Sequence, residues 1–120
     1  MKKILVVEDN EQNLYLMQYM LETSGYTVVV ALNGTDAVVL AAREKPDLIL
    51  MDIQLPDLDG LEVTSRIRAL EAGGKVVPIV AVTSFAMTGD REKALAAGCN
   101  GYIEKPIDPE NFLSQIGRYL

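Results

Sequence analysis

Five short apolar runs recur along the chain, and each is continuous instead of alternating with polar residues. They are ILVV (4–7), YTVVV (26–30), LILM (48–51), PIVAV (78–82) and GYI (101–103). Continuous runs of this length, rich in β-branched residues, are typical of strands that are buried on both faces of a parallel sheet. The pattern therefore predicts five parallel strands covered by helices on both sides.

The segments between these runs carry apolar residues at helical spacing. The sets are Leu14, Met17 and Leu21 in 11–23; Val63, Ile67 and Leu70 in 60–72; and Phe112, Ile116 and Leu120 in 109–120. Capping signals frame the helices, with starts at Asn10, Asn33-Gly34 and Asp108-Pro109 and ends at Ser24-Gly25, Lys45-Pro46, Ala72-Gly73-Gly74 and Ala97-Gly98. The order is (βα)5 in a single domain, residues 1–120. Right-handed crossovers then give a doubly wound α/β sandwich.

Composition narrows the function classes. The chain is 49% hydrophobic and 23% charged, which is globular, and its net charge of −6 opposes nucleic-acid or anionic-membrane surfaces. It has no histidine, so Ser-His-Asp catalysis and imidazole zinc sites are excluded, and its one cysteine allows no internal disulfide. We see no signal peptide and no apolar run near the ~18 residues of a membrane helix. We therefore expect a cytoplasmic protein.

Polar side chains follow four of the five predicted strands. Glu8 and Asp9 follow the first, Asp52 the third, Thr83 the fourth and Lys105 the fifth. Open parallel sheets bind ligands beyond the carboxyl ends of their strands. If these four strands are neighbours, three carboxylates, a hydroxyl and an ammonium group converge there.

Such a cluster needs a cation, because three close carboxylates repel one another and burial strengthens the repulsion. Mg²⁺ prefers oxygen ligands and commonly bridges carboxylates to a phosphate. With the metal and Lys105 in place, Asp52 can attack an electrophilic phosphorus and form an aspartyl phosphate. Taken one at a time, Asp52 could equally be a loop acid or a cap. The others are more simply solvated acids (Glu8 and Asp9), a turn or cap hydroxyl (Thr83) and a surface lysine (Lys105). It is their joint placement that favours a metal-assisted phosphate site.

Four stretches resemble the receiver domain of bacterial two-component response regulators. They are ILVVEDN (4–10), DLILMDIQLPDLDG (47–60), PIVAVTSFAM (78–87) and GYIEKPID (101–108), in family order and spacing across the chain. The resemblance implies a flavodoxin-like sheet of strand order 2-1-3-4-5. It also implies that Asp52 accepts a phosphoryl group from a phosphohistidine on a histidine kinase or histidine phosphotransferase.

The resemblance further implies a ligand set for Mg²⁺, for which Mn²⁺ can substitute. Asp9 would bind the metal directly, together with Asp52 and the backbone carbonyl of Gln54, and Glu8 would act through water. Gln54 stands two residues after Asp52, a position that influences hydrolysis of the acyl phosphate in the family. The domain would assist its own phosphorylation and dephosphorylation without being a classical enzyme.

A switch is implied as well. Thr83 is similar to the family's switch hydroxyl, and Tyr102 is similar to its rotating aromatic residue. Lys105 is similar to the family's phosphate-binding lysine, which implies a cis peptide bond between Lys105 and Pro106. Phosphorylation would alter the surface of the fourth helix, fifth strand and fifth helix, where a downstream protein binds. We expect a monomer or weak dimer, and Phe85 and Met87 lie near that surface as possible contacts or as ordinary packing residues.

Two other classes remain as alternatives. A phosphatase of the haloacid dehalogenase type also uses an aspartyl nucleophile, but its motif needs a second Asp where this chain has Gln54. A flavodoxin-like flavin or nucleotide binder needs a Gly/Ser/Thr-rich phosphate loop after the first strand. The chain has the acidic sequence EDNEQN (8–13) at that place.

Overall fold

Strands and helices alternate along the chain, for which a computed structural model describes residues 2–71, 76–84 and 89–120. The strands are β1 Lys3–Val7, β2 Thr27–Ala31, β3 Leu48–Asp52, β4 Ile79–Thr83 and β5 Gly101–Glu104. The helices are α1 Glu11–Thr23, α2 Gly34–Glu44, α3 Gly60–Leu70, α4 Asp90–Ala97 and α5 Pro109–Gly117. The strands pair in parallel in the order β2-β1-β3-β4-β5. The predicted fold class and strand order are confirmed.

Alternate side chains of the strands enter two apolar clusters, one on each face of the sheet. Ile4 and Val6 of β1 belong to the cluster that α1 and α5 cover. Leu5 and Val7 belong to the cluster that α2, α3 and α4 cover. All residues of β3 and β4 are buried. A strand covered on both faces has no position that tolerates a solvated side chain, which explains the continuous apolar runs.

The predicted helix starts are confirmed by side-chain caps. Asn10, Asn33 and Asp108 each accept a hydrogen bond from a backbone N–H in the first turn of α1, α2 and α5. The N-cap of α3 is Asp59, which the sequence analysis did not single out. Helix α3 ends at Leu70, and the predicted stop at 72–74 lies outside the described residues. No described helix has the length and apolarity needed to cross a membrane.

The second strand lies one residue later than predicted, at 27–31 instead of 26–30. Tyr26 is part of the turn that ends α1, because its N–H donates to the Leu21 carbonyl at 3.1 Å while Gly25 donates to Glu22 at 3.1 Å. This pair of bonds is a Schellman motif, and Gly25 provides its left-handed residue with φ +94°. The strand therefore begins at Thr27, whose N–H bonds the Lys2 carbonyl at 2.9 Å.

Candidate functional site

The strand order places the four polar strand ends side by side, since β1, β3, β4 and β5 are consecutive in the sheet. The Glu8 N–H still bonds the Ala31 carbonyl of β2 at 3.0 Å, and the Lys105 N–H bonds the Thr83 carbonyl at 2.7 Å. Glu8, Asp52 and Thr83 are buried, whereas Asp9 is exposed. The ladder thus fixes the backbone on which each polar group stands.

The three predicted acids form one cluster. One carboxylate oxygen from each of Glu8, Asp9 and Asp52 lies within 4.8 Å of the others. Lys105 reaches the same cluster with its Nζ 2.8 Å from Glu8 Oε1 and 3.5 Å from Asp52 Oδ1. The Lys105 side chain is only 9% exposed, so its charge acts in a partly desolvated environment.

The electrostatics of the cluster are unbalanced without a cation. Burial, followed by the neighbouring Glu8 carboxylate, raises the pKa of Asp52 to about 6, while the Gln54 N–H and Lys105 act in the opposite direction. Oε1 of Glu8 is fully buried and makes no hydrogen bond of good geometry, although Lys105 lies beside it. Three carboxylates facing one ammonium group carry a net formal charge of −2 when all are ionised. This oxygen-rich, negatively charged donor set fits a hard divalent cation.

The loop after β3 is held tightly against the end of that strand. The Gln54 N–H bonds Asp52 Oδ1 at 3.1 Å, and Gln54 forms a β-bridge with Asp59. The Gly60 N–H bonds the Ile53 carbonyl at 2.8 Å. A Cβ atom on Gly60 would lie 2.2 Å from the Asp52 carbonyl oxygen, so glycine is required at this approach.

The acids line an open cleft of about 560 Å³. Gln54, Lys105, Ser84 and the first residues of α1 share its walls. A second, smaller cavity of about 210 Å³ lies between the loop after β3, α4 and β5, and is lined by both Thr83 and Tyr102. Thr83 and Tyr102, the two residues expected to act as the switch, therefore face one space.

The Lys105-Pro106 peptide bond is cis, as the resemblance implied. Phe85 and Met87, which are expected near the output surface, lie outside the described residues.

Asp57 is the feature of this region that the sequence analysis missed. Its carboxylate accepts hydrogen bonds from the N-terminus of α2, 22 and 23 residues away in the chain. The sequence carries no local signal for this contact, because it depends on the packing of two separate βα units. Asp59, in contrast, precedes a helical apolar pattern and could have been recognised as a cap.

Comparisons with known proteins match almost the whole chain. The family model described as response regulator receiver domain matches residues 4–117. The polar-differentiation response regulator DivK of Brucella anthropi is 45% identical over 119 residues, which cover 99% of this chain and 96% of the relative. DivK of Brucella melitensis gives the same identity and coverage.

Solved structures also match almost the whole chain. The receiver domain of the sensor histidine kinase PA1611 from Pseudomonas aeruginosa matches with a TM-score of 0.88 and 43% identity, over 98% of this chain and 96% of that one. That structure is described with a magnesium ion coordinated in its active-site cleft. Chemotaxis protein CheY4 of Vibrio cholerae matches with a TM-score of 0.92 and 28% identity, over 100% and 99% of the two chains.

Proposed function

The chain belongs to the receiver domains of response regulators, and on that premise we propose the chemistry by which its residues carry the signal. Receiver domains serve phosphorylation-dependent signalling, work with histidine kinases and downstream targets, and are not classical enzymes. We propose that residues 1–120 act as one such domain, with Asp52 as the phosphoacceptor. The observation that supports this most is the cluster of Glu8, Asp9 and Asp52 with Lys105 in ionic contact.

Asp9, Asp52 and the backbone carbonyl of Gln54 would hold Mg²⁺ or Mn²⁺, and Glu8 would contact the ion through water. When bound, the metal supplies positive charge opposite the phosphoryl oxygens. The donor set supports the assignment, because it offers only oxygen ligands and because the buried Glu8 Oε1 lacks a well-directed hydrogen bond. Burial, and then the neighbouring Glu8 carboxylate, raise the pKa of Asp52, so a cation would stabilise its ionised form.

In the transfer step, a carboxylate oxygen of Asp52 forms a bond to the phosphorus of a phosphohistidine on the donor protein. The P–N bond breaks, its electron pair returns to the imidazole nitrogen, and that nitrogen takes a proton from solvent. Lys105 pairs with one phosphoryl oxygen, and the Thr83 hydroxyl donates a hydrogen bond to another. The same groups assist the later attack of water on the acyl phosphate, so the domain promotes both its phosphorylation and its dephosphorylation.

The output follows from movement of Thr83 toward the phosphoryl group and of Tyr102 into the space that opens. Both residues line the smaller cavity, which lies against α4. The α4-β5-α5 surface would then change its affinity for a downstream protein in a monomer or weak dimer.

Because the donor kinases use ATP, we place this exchange in the cytoplasm. The phosphatase and flavin-binding alternatives are not favoured, since the family match covers residues 4–117.

The test is phosphorylation by a small-molecule acyl phosphate with and without Mg²⁺, followed by intact mass. We expect wild type to gain one phosphoryl group only with the metal, and Asp52→Asn to gain none. Asp36→Asn, which changes an exposed acid in α2, should behave like wild type. A gain in Asp52→Asn would contradict the assignment. If wild type stays unmodified, a titration with beryllofluoride and Mg²⁺ decides whether the site binds a phosphoryl mimic at all, and no binding would overturn the proposal.

A further inference from the structure

The backbone N–H groups of the first three residues of α2 have no partner within the helix, yet all three are bonded, and two of them are bonded by a distant residue. The Asp36 N–H bonds the Asn33 side chain at 2.8 Å, and the Ala37 N–H makes the first bond of the helix itself, to the Asn33 carbonyl at 3.2 Å. The N–H groups of Gly34 and Thr35 instead bond the Asp57 carboxylate at 2.7 and 2.9 Å. Helix N-termini need such partners, so Asp57 completes the cap of a helix to which it does not belong.

The contact is charged and has several points. The Thr35 hydroxyl donates to Asp57 Oδ2 at 2.6 Å, and the Leu58 N–H donates to Oδ1 at 2.9 Å. A carboxylate at a helix N-terminus is stabilised by the helix dipole as well as by its hydrogen bonds. The Thr35 hydroxyl, followed by the amides of Gly34 and Thr35, holds the pKa of Asp57 well below its usual range. Asp57 therefore stays ionised and bonded at neutral pH.

The backbones are packed closely at the same point. A Cβ atom on Gly34 would lie 2.6 Å from Val63 Cγ2, 3.0 Å from Leu58 Cβ and 3.2 Å from Asp57 Oδ1. The N-terminus of α2 therefore sits directly on the loop after β3 and on the first turn of α3. The loop from 53 to 59 is thus fixed at its ends by Asp52 and Gly60 and in its middle by α2.

Gln54 lies in that loop, three residues before Asp57, and its backbone carbonyl is the neutral ligand in the proposed metal site. We propose that Asp57 is a positioning residue that holds the metal-binding loop through the N-terminus of α2, an inference that rests on the proposed function. Strand β2 and helix α2 supply no group to the acidic cluster among the described residues. Through Asp57 this βα unit nevertheless sets the geometry of the metal site.

The experiment compares Asp57→Ala with Asp36→Ala. Both variants remove one exposed acid at the N-terminus of α2, but among the described residues the side chain and backbone N–H of Asp36 hydrogen-bond with Asn33 and not with the loop. Mg²⁺ is titrated at constant ionic strength, and the amide signals of the labelled proteins report binding. Loss of groups that orient metal ligands typically lowers affinity about 10- to 100-fold. We expect Asp57→Ala to weaken Mg²⁺ binding about tenfold and Asp36→Ala to stay within about twofold of wild type.

Two further measurements distinguish a positioning role of Asp57 from a general loss of structure in the variant. At saturating Mg²⁺ the phosphorylation rate of Asp57→Ala should return to within about twofold of wild type, because β3 holds Asp52 independently. In metal-free protein, hydrogen exchange of the amides from 53 to 60 should be faster in Asp57→Ala than in Asp36→Ala. Equal Mg²⁺ affinities for the two variants would overturn the inference and leave the proposed function intact. Absence of Mg²⁺ binding by wild type would instead overturn the proposed function.

A milder change covers the case in which Asp57→Ala does not fold, as judged by circular dichroism. Thr35→Val removes the hydroxyl donor and keeps the backbone N–H that bonds Asp57. It should weaken Mg²⁺ binding about two- to threefold in the same direction, in line with the loss of one hydrogen bond. An unchanged affinity in Thr35→Val, alongside an unfolded Asp57→Ala, would show that Asp57 serves stability alone and would overturn the inference.

Discussion

Replacing Asp52 with Asn should stabilise the metal-free protein at neutral pH. The raised pKa of Asp52 means that the folded state disfavours its ionised form, chiefly through burial and then through Glu8. Between pH 4 and about 6 the folded chain holds a proton that the unfolded chain has released, so wild-type stability falls as pH rises through this window. An amide of the same shape avoids that loss.

The size of the effect follows from the pKa. The difference between 3.8 and about 6 converts, at about 1.36 kcal/mol per pKa unit, to about 3 kcal/mol of stability lost by pH 7.5. The attraction of Lys105 is already included in this pKa, but the polar Asn amide must itself be buried, which offsets part of the gain. We expect Asp52→Asn to raise the free energy of unfolding by about 1–3 kcal/mol at pH 7.5, and by much less at pH 4.5.

Urea unfolding with EDTA at both pH values measures the difference, with Asp36→Asn as the exposed control. Adding Mg²⁺ should remove or reverse most of this difference, because binding at 100 times Kd stabilises the folded wild type by about 2.7 kcal/mol. The variant has lost one of the proposed ligands and should gain less. A variant that is less stable than wild type at pH 7.5 without metal, or a difference that does not change with pH, would refute the reasoning.

Three further changes test other parts of the structure by urea unfolding. Gly60→Ala places a Cβ atom 2.2 Å from a β3 carbonyl oxygen and should lower the free energy of unfolding by about 2–4 kcal/mol. In the control Gly117→Ala, the new Cβ meets nothing within 4 Å, so the free energy of unfolding should change by less than about 1 kcal/mol. Equal losses in the two variants would show that the close approach at Gly60 is not what requires glycine there. Arg68 donates hydrogen bonds to two backbone carbonyls and to a side-chain amide. Arg68→Ala should therefore lower the free energy of unfolding by about 2–4 kcal/mol, whereas Arg66→Ala, at an exposed position, should lower it by less than about 1 kcal/mol. Similar values for the two variants would show that the hydrogen bonds of Arg68 add no stability. Lys105→Met leaves buried carboxylates without their positively charged partner and should lower the free energy of unfolding by about 3 kcal/mol at pH 7.5 without metal. The loss should be smaller at pH 5, where a proton neutralises part of the negative charge. An equal loss at both pH values would argue against charge as the cause.

The fold was predictable because strands that are buried on both faces of a parallel sheet need apolar residues at consecutive positions. Each residue of β3 is buried, so the run 48–51 is apolar without a break. Helix caps were predictable for a different reason, because Asn10 and Asn33 act within three residues of their partners. The start of β2 was predicted one residue too early because Tyr26 bonds back to α1 through its backbone, which any residue type can do, and β4 likewise begins one residue later than its apolar run, at Ile79.

The candidate site was predictable as a set of residues but not as an arrangement. Parallel strands deliver their carboxyl ends to one edge, so the grouping of Glu8, Asp9 and Asp52 followed once the strands were identified. The cap that Asp57 places on α2 links residues 22 and 23 positions apart and depends on how two βα units pack. Sequence periodicity describes one element at a time and carries no record of such a contact.

The opposite environments of Glu8 and Asp9 show what the arrangement adds to the chemistry. The Glu8 N–H still bonds β2, so the chain keeps its strand-like alternation and turns Glu8 inward while Asp9 faces solvent. Glu8 and Asp52 therefore share a poorly solvated space in which repulsion is strong, whereas Asp9 remains accessible to an incoming ion. The buried pair raises the free energy of the metal-free domain, and a cation entering beside Asp9 would relieve it. Stability, metal affinity and phosphoryl transfer should consequently change together whenever one of these carboxylates is altered.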